Sequence, residues 1–220
     1  MPAVRARTRR NTTEAGAWVL GLACLTYWGA WKLDGVAGRR EAMRQFAARE
    51  IAVAQAPGAP DLALWAPERI TAWKRALETP GPAPLAVLRI PRLSIDVPVL
   101  EGTDETALNR GVGHIEDTAA PGADGNSGIA GHRDGFFRGL KDIVGGDVIE
   151  LRTPQRTETY VVTRSWIVNP EDVSVLDPTP VRSITLVTCY PFYFIGSAPQ
   201  RFIVRAVHAD DQARVAPTPR

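Results

Sequence analysis

Cys189 is the residue of this 220-residue chain whose chemistry stands out. It ends the segment S-I-T-L-V-T-C, whose alternation predicts a β-strand with Ile184 and Leu186 facing inward and Cys189 facing outward. A thiol with an ordinary pKa is mostly protonated at neutral pH. A nucleophilic cysteine therefore needs a neighbouring base or cation, which the rest of the sequence has to supply.

Three histidines are available as that base. His132 lies at a predicted strand end in G-I-A-G-H-R-D, among small residues, and position alone favours it over the others. His114 follows a short predicted helix and could instead line a groove or bond to backbone. His208 closes the last predicted strand beside a polar tail, where we expect a surface residue.

An arginine is the second candidate neighbour of the thiol. In R-F-I-V-R-A-V, alternation puts Arg201 on the outer face, and Arg201 shares a surface with Cys189 if the two strands pair. A guanidinium aimed at a groove can stabilise a developing oxyanion. An ordinary exposed strand arginine is the alternative.

The segment after Cys189, Y-P-F-Y-F-I-G-S-A-P, holds more large apolar residues than an exposed connection needs. We expect it to form the wall of a groove. Substrate contacts are predicted for six residues near the thiol, namely Thr188, Tyr190, Pro191, Phe192, Tyr193 and His114.

Short β-rich runs separated by turn residues must position these side chains. They predict a mainly β fold, a barrel or a sandwich, interrupted by short helices at Asp104–Asn109 and Phe136–Ile143. The predicted strands are Ala86–Ile90, Ile95–Leu100, Gly128–Gly131, Val148–Thr153, Thr159–Val168, Ser183–Thr188 and Phe202–Val207.

Residues 15–31 carry no charge and have aromatic residues near both ends of the run. At about 1.5 Å per residue, a helix of this length nearly spans a hydrocarbon core of about 30 Å, so we predict an N-terminal transmembrane anchor. The arginines before it favour a cytoplasmic N-terminus. A signal peptide cleaved near 35–37 is the alternative, and either one puts Cys189 in an oxidising compartment as an unpaired thiol.

The chain is thus divided into five parts. The predicted boundaries are a cytoplasmic tail at 1–14, the anchor at 15–31, a stalk with helices at 32–84, a catalytic domain at 85–209 and a disordered tail at 210–220. Within the stalk, a helix at Glu68–Glu78 should dock through Ile70, Trp73 and Leu77.

The net charge of the chain is +2, which is too small to indicate a basic surface for nucleic-acid binding.

Three motifs, in this order, resemble those of the sortases: G-I-A-G-H-R-D, T-L-V-T-C-Y-P and A-P-Q-R-F-I-V. The long run from Thr185 to Phe202 is similar to class D sortases and the related enzymes of Gram-negative bacteria. The resemblance covers residues 85–208, and the N-terminal anchor fits it.

The resemblance implies a closed eight-stranded β-barrel in which His132, Cys189 and Arg201 are the catalytic set. It implies a membrane-anchored, extracytoplasmic cysteine transpeptidase that cleaves an L-P-x-T-G-like sorting signal between Thr and Gly. The acyl group would pass through a Cys189 thioester to an amine. The implied partners are proteins with a C-terminal sorting signal and an amine acceptor of the cell envelope or of another surface protein.

Some features stay open at this level. Asp134 could orient the His132 imidazole or cap the following helix, and capping is favoured. Some sortases use calcium, but the loop acids here form no dense carboxylate loop, so we predict no metal and no cofactor. The functional alternatives are another extracytoplasmic cysteine acyl-transferase or peptidase, and a non-catalytic anchored barrel that binds peptides.

Overall fold

The structure is a computed structural model that describes residues 60–193 and 196–214. Its strands are β1 (Ala86–Ile90), β2 (Ile95–Glu101), β3 (Val112–His114), β4 (Asn126–Gly131), β5 (Val148–Arg152), β6 (Thr157–Val168), β7 (Ser183–Tyr190) and β8 (Gln200–His208). They close into a barrel in the order β1-β2-β3-β4-β7-β8-β6-β5. The pairs β2–β3 and β4–β7 are parallel and the others antiparallel. The predicted eight-stranded barrel is confirmed.

The seven predicted strands agree with the observed ones to within two residues at each end. The sequence pattern missed β3 because this strand is short and has glycine at its centre, where no alternation can be seen. A Cβ atom at Gly113 would lie 2.1 Å from the Gly102 carbonyl oxygen, so the close approach of two backbones requires glycine there.

The barrel interior is filled by alternate residues of its strands. As predicted for β7, Ile184 and Leu186 face this interior. Fully buried members of the core include Leu88, Ile90, Val97, Val99, Ile129, Ile149, Leu151, Ile184, Leu186 and Val204.

Short helices decorate the barrel. They are the α-helices α1 (Pro67–Leu77) and α2 (Glu105–Leu108) and the 3-10 helices Pro91–Leu93, Arg138–Asp142, Val173–Leu176 and Ala209–Arg214. The predicted helix in the stalk is α1, and Ile70 and Trp73 pack against the core as expected. Leu77 does not, because it is 54% exposed at the end of the helix.

The outer face of β4, β7 and β8 is covered by the connection between β6 and β7. Asn126 is the centre of this contact: its amide nitrogen donates to the carbonyls of Val175 at 3.3 Å and Asp177 at 3.2 Å. Its amide oxygen accepts from the hydroxyl of Thr185 at 2.6 Å. A buried polar side chain thus holds the connection against the strands that lead to Cys189.

The far end of the barrel corrects two expectations. His208 is not a surface residue: it is buried, and its Nε2 lies 2.6 Å from Glu158 Oε2. The chain continues after β8 as a 3-10 helix to Arg214 rather than as a disordered tail from residue 210, because buried Asp211 accepts from Arg182 Nε at 2.8 Å. Residues 215–220 lie outside the described part.

The predicted membrane anchor at 15–31 also lies outside the described residues. In residues 60–193 and 196–214, no helix combines the length and apolar character needed to cross a bilayer.

Replacing Asn126 by alanine should lower the free energy of unfolding by about 2 to 3 kcal/mol, because buried carbonyl and hydroxyl groups lose their partner. Urea denaturation measures this difference. Asn169→Ala, at an exposed position of the same connection, is the control and should change stability by less than about 0.5 kcal/mol. Equal losses in the two variants would contradict the structural role of Asn126.

Candidate active site

Three strands end together at one end of the barrel. The parallel pairing of β4 with β7 puts Gly131 opposite Thr188, and the antiparallel pairing of β7 with β8 puts Cys189 opposite Arg201. His132 follows β4 directly. The register therefore brings the predicted histidine, cysteine and arginine to neighbouring positions on adjacent strands.

Cys189 is a half-buried free thiol near the end of β7. Within the described part of the chain, no hydrogen bond to its sulfur is seen. The residue is thus held in a barrel strand that is paired on both sides and keeps partial access to solvent.

The backbone around His132 is held in place by its neighbours. The hydroxyl of Thr188 donates to the Gly131 carbonyl at 2.7 Å, which ties the end of β4 to β7. The His132 carbonyl accepts from the amides of Gly135 and Phe137, both at 3.2 Å, so the chain turns sharply after the histidine. These bonds fix the backbone of His132 next to the end of β7.

The imidazole of His132 lies in a partly buried, charged environment. Its Nε2 is buried without a hydrogen-bond partner, and Glu105 Oε2 stands 3.7 Å away, beyond hydrogen-bond distance. Burial lowers the pKa of His132, and the positive charge of Arg69 lowers it further. Glu105 and Asp134 partly offset both effects, so the neutral imidazole is favoured at neutral pH.

Arg201 presents an uncompensated positive charge at the start of β8. Its Nη1 donates to the backbone carbonyls of Gln200 at 3.1 Å and Ala198 at 3.4 Å. Among the residues that the structure describes, no carboxylate forms an ion pair with this guanidinium. Its remaining donors are therefore available to an external acceptor.

The predicted groove wall divides into two layers. Phe192 is buried and packs edge-on against Phe202, with ring centroids 5.3 Å apart, while Tyr190 stands half-buried beside both. Tyr193 is 71% exposed, and the guanidinium of Arg138 lies 4.0 Å above its ring. Pro191 is half-buried. Positions 194 and 195 of the wall lie outside the described residues.

Two other predicted contact residues have intramolecular partners. Thr188 is buried, and its hydroxyl donates to the Gly131 carbonyl of β4. His114 is buried four register positions before the end of β7, with Nδ1 3.2 Å from Glu101 and Nε2 3.0 Å from the Ala119 carbonyl. The substrate contacts predicted for these residues and for the wall stay predictions.

Sequence reasoning missed the charged residues behind His132. Arg69 of α1 donates from Nε to Asp134 Oδ1 at 3.3 Å and from Nη1 to Asn109 Oδ1 at 2.7 Å. Asp134 is thus not a helix cap, because its carboxylate is engaged by Arg69 and the following 3-10 helix has no side-chain cap. Helix α1 and residue 132 are far apart in the sequence, so no local sequence pattern could reveal this contact.

This arrangement has the parts of an acyl-transfer site. A thiol supplies a nucleophile, an imidazole can carry a proton to or from a reacting amine, and a guanidinium can hold an oxyanion. In the described part, no group of three His, Cys, Asp or Glu residues is arranged to hold a metal ion.

Known proteins share this domain. A family model described as a Sortase domain matches residues 88–209, more than half of the chain. Sortase D of Bacillus subtilis is 35% identical over 119 residues, a match that covers 54% of this chain and 60% of that relative. The chain thus spans less than two thirds of that relative's length.

Solved structures show the same architecture. A Clostridium perfringens Sortase D5 transpeptidase superposes with a TM-score of 0.53 at 28% identity, covering 63% of this chain and 88% of its own. Sortase E1 from Streptomyces coelicolor, solved with a tripeptide in its active site, has a TM-score of 0.53 at 34% identity, covering 57% of this chain and 88% of its own.

Gly131→Ala should lower the free energy of unfolding by about 1 to 3 kcal/mol, because the added methyl would overpack the core behind His132. Its Cβ would lie 2.6 Å from a ring carbon of Phe137 and 2.9 Å from Val112. Urea denaturation measures the loss. Gly145→Ala is the control, since its Cβ would meet nothing closer than 3.9 Å. Equal stability of the two variants would contradict a close-packed β4 end.

Proposed function

The chain belongs to the sortase family, and from this premise we propose that it is a cysteine transpeptidase that uses His132, Cys189 and Arg201. The observation that carries the proposal is the register that brings these residues to the ends of three adjacent strands. The site faces the loop after β7, which offers an exposed aromatic ring at Tyr193 for a peptide substrate.

The reaction proceeds in two acyl transfers. The Cys189 thiolate attacks the carbonyl carbon of threonine in an L-P-x-T-G-like signal, the C–S bond forms, and the C–N bond to glycine breaks. His132 as imidazolium gives its proton to the leaving amine. An incoming amine then attacks the thioester, His132 takes its proton, and the Cys189 thiolate leaves.

The protonation state of His132 limits this scheme. Burial and Arg69 lower its pKa, so at neutral pH only a minority of molecules hold the imidazolium that the first step needs. Falling pH raises that fraction, because more of the imidazole is then protonated.

Arg201 orients the signal and stabilises the oxyanion formed at the threonine carbonyl. Its lack of an acidic partner among the described residues supports this role, because a guanidinium paired with a carboxylate would be less available. The planar fork of donors suits a carbonyl oxygen and a neighbouring carbonyl together.

The substrates are surface proteins with a C-terminal sorting signal, and the acceptor is an amine of the cell envelope or of another surface protein. The tripeptide in the active site of Streptomyces coelicolor Sortase E1 supports a peptide ligand for this groove. Residues 15–31 anchor the enzyme in the plasma membrane, with the barrel outside the cytoplasm.

A panel of pentapeptide signals incubated with the protein should leave a thioester on Cys189, detected by mass spectrometry of the intact chain. Cys189→Ala should form no adduct and join no peptide to an amine, and His132→Ala should lose turnover. His114→Ala, which removes a histidine away from the thiol, is the control and should only weaken activity. Peptide joining by Cys189→Ala would refute the proposal and leave a peptide-binding barrel as the alternative.

Arg201→Lys should lower kcat/KM by about 10²- to 10³-fold, the usual cost of a lost oxyanion donor, because an ammonium cannot reproduce the planar fork. Steady-state kinetics with the pentapeptide that forms the Cys189 thioester measures the loss in kcat/KM. Arg164→Lys, at an exposed position of β6, is the matched control and should retain normal turnover. A normal kcat/KM for Arg201→Lys would count against the oxyanion role.

A further inference from the structure

The carboxylate of Glu105, the first residue of α2, stands between two potential cations. Its Oε2 lies 3.8 Å from Arg69 Nη1 and 3.7 Å from His132 Nε2. The same oxygen accepts a hydrogen bond from the side-chain amide of Asn109, whose Nδ2 lies 3.3 Å away. Glu105 is thus shared between helix α1 and the proposed catalytic histidine without closing a hydrogen bond to either.

Arg69 is held firmly on one side of this carboxylate. Its side chain is 18% exposed, and it bonds to Asn109 and Asp134. Helix α1 is itself fastened to the histidine loop, because the Ala66 amide donates to the Asp134 carbonyl at 3.1 Å and the Trp65 ring packs 4.6 Å from Phe136. A charge from outside the barrel is therefore fixed beside the active site.

A closed bond between Glu105 and His132 would oppose the proposed chemistry. His132 Nε2 is buried and has no partner in the described structure, as a nitrogen that exchanges protons with a substrate amine requires. A carboxylate bonded to it would occupy that nitrogen and retain the proton of the imidazolium, so the proton could not pass to the leaving amine. Glu105 is 75% exposed, and its Oε2 needs to move by less than 1 Å to make the bond. The cation that attracts this oxygen from the other side is Arg69, whose Nη1 lies 3.8 Å away.

We propose that Arg69 is a positioning residue for His132: its guanidinium retains the Glu105 carboxylate and so leaves Nε2 open for proton transfer. This inference rests on the proposed function of His132. It makes α1 part of the working active site, although the helix lies outside the barrel.

The charges around the imidazole determine the direction of the effect. Arg69 faces it from α1, Glu105 from α2 and Asp134 from its own loop, and the thiol of Cys189 lies near the end of β7. Removing Arg69 leaves two carboxylates without their cation. The imidazolium is then stabilised, so the pKa of His132 should rise.

The test is a double-mutant cycle of Arg69→Gln and Glu105→Gln, read by NMR titration of the histidine signals. The chain has three histidines, and His132→Ala identifies the signal of interest. Arg69→Gln should raise the titration midpoint of His132, and adding Glu105→Gln should bring it back toward the wild-type value. Arg75→Gln, an exposed position of the same helix, is the matched control and should leave the midpoint unchanged.

Turnover provides the second readout. Arg69→Gln should lower kcat by about tenfold with KM within about twofold of wild type. In this variant His132 would bond to Glu105 and transfer its proton less readily, while the substrate still binds. The double variant should recover kcat to within about threefold of wild type. A merely structural role for Arg69 predicts no recovery, since Glu105→Gln cannot restore the docking of α1.

Arg69→Lys is the control for the possibility that Arg69→Gln changes the midpoint by undocking helix α1. It keeps a positive charge beside Glu105 and should hold the His132 midpoint near that of wild type. An unchanged midpoint in Arg69→Gln, or a shift that Glu105→Gln does not reverse, would overturn the inference. The titration needs no turnover, so it decides this point even if the transpeptidase proposal fails.

Discussion

The parallel pairing of β4 with β7 is the constraint on which the candidate active site depends. It joins strands that are distant in sequence, and the Thr188 hydroxyl secures its end by donating to the Gly131 carbonyl at 2.7 Å. His132 can stand beside the end of β7 only if this register is kept, since a shift of one residue turns side chains to the opposite face. The core behind Gly131 leaves no room for a side chain, which maintains that register.

The second determinant is electrostatic and comes from outside the barrel. A partly buried histidine beside an arginine favours the neutral imidazole, while two nearby carboxylates oppose that preference. Because Arg69 and Glu105 belong to α1 and α2, the protonation of His132 depends on the docking of helices as well as on the barrel. Barrels with the same strands but a different N-terminal segment would hold their histidine in a different electrostatic environment.

Covering elements complete the site. The connection between β6 and β7 lies against the outer face of the strands that lead to Cys189 and is held there by Asn126. The loop after β7 buries Phe192 against Phe202 and exposes Tyr193 under Arg138. The first contact holds the strands that lead to Cys189, and the second leaves an aromatic ring exposed beside the end of β7.

The sequence alone determined seven of the strands, because strand alternation is a local pattern. The resemblance of three ordered motifs added the closed barrel and the proposed catalytic set. Sequence reasoning could not reveal β3, which is too short to alternate, or the burial of His208, whose partner Glu158 lies on another strand. It also assigned Asp134 to a cap, when the arginine that binds it comes from α1. Contacts between residues distant in the chain have no periodic signature, so only the tertiary structure decided which charges surround the histidine.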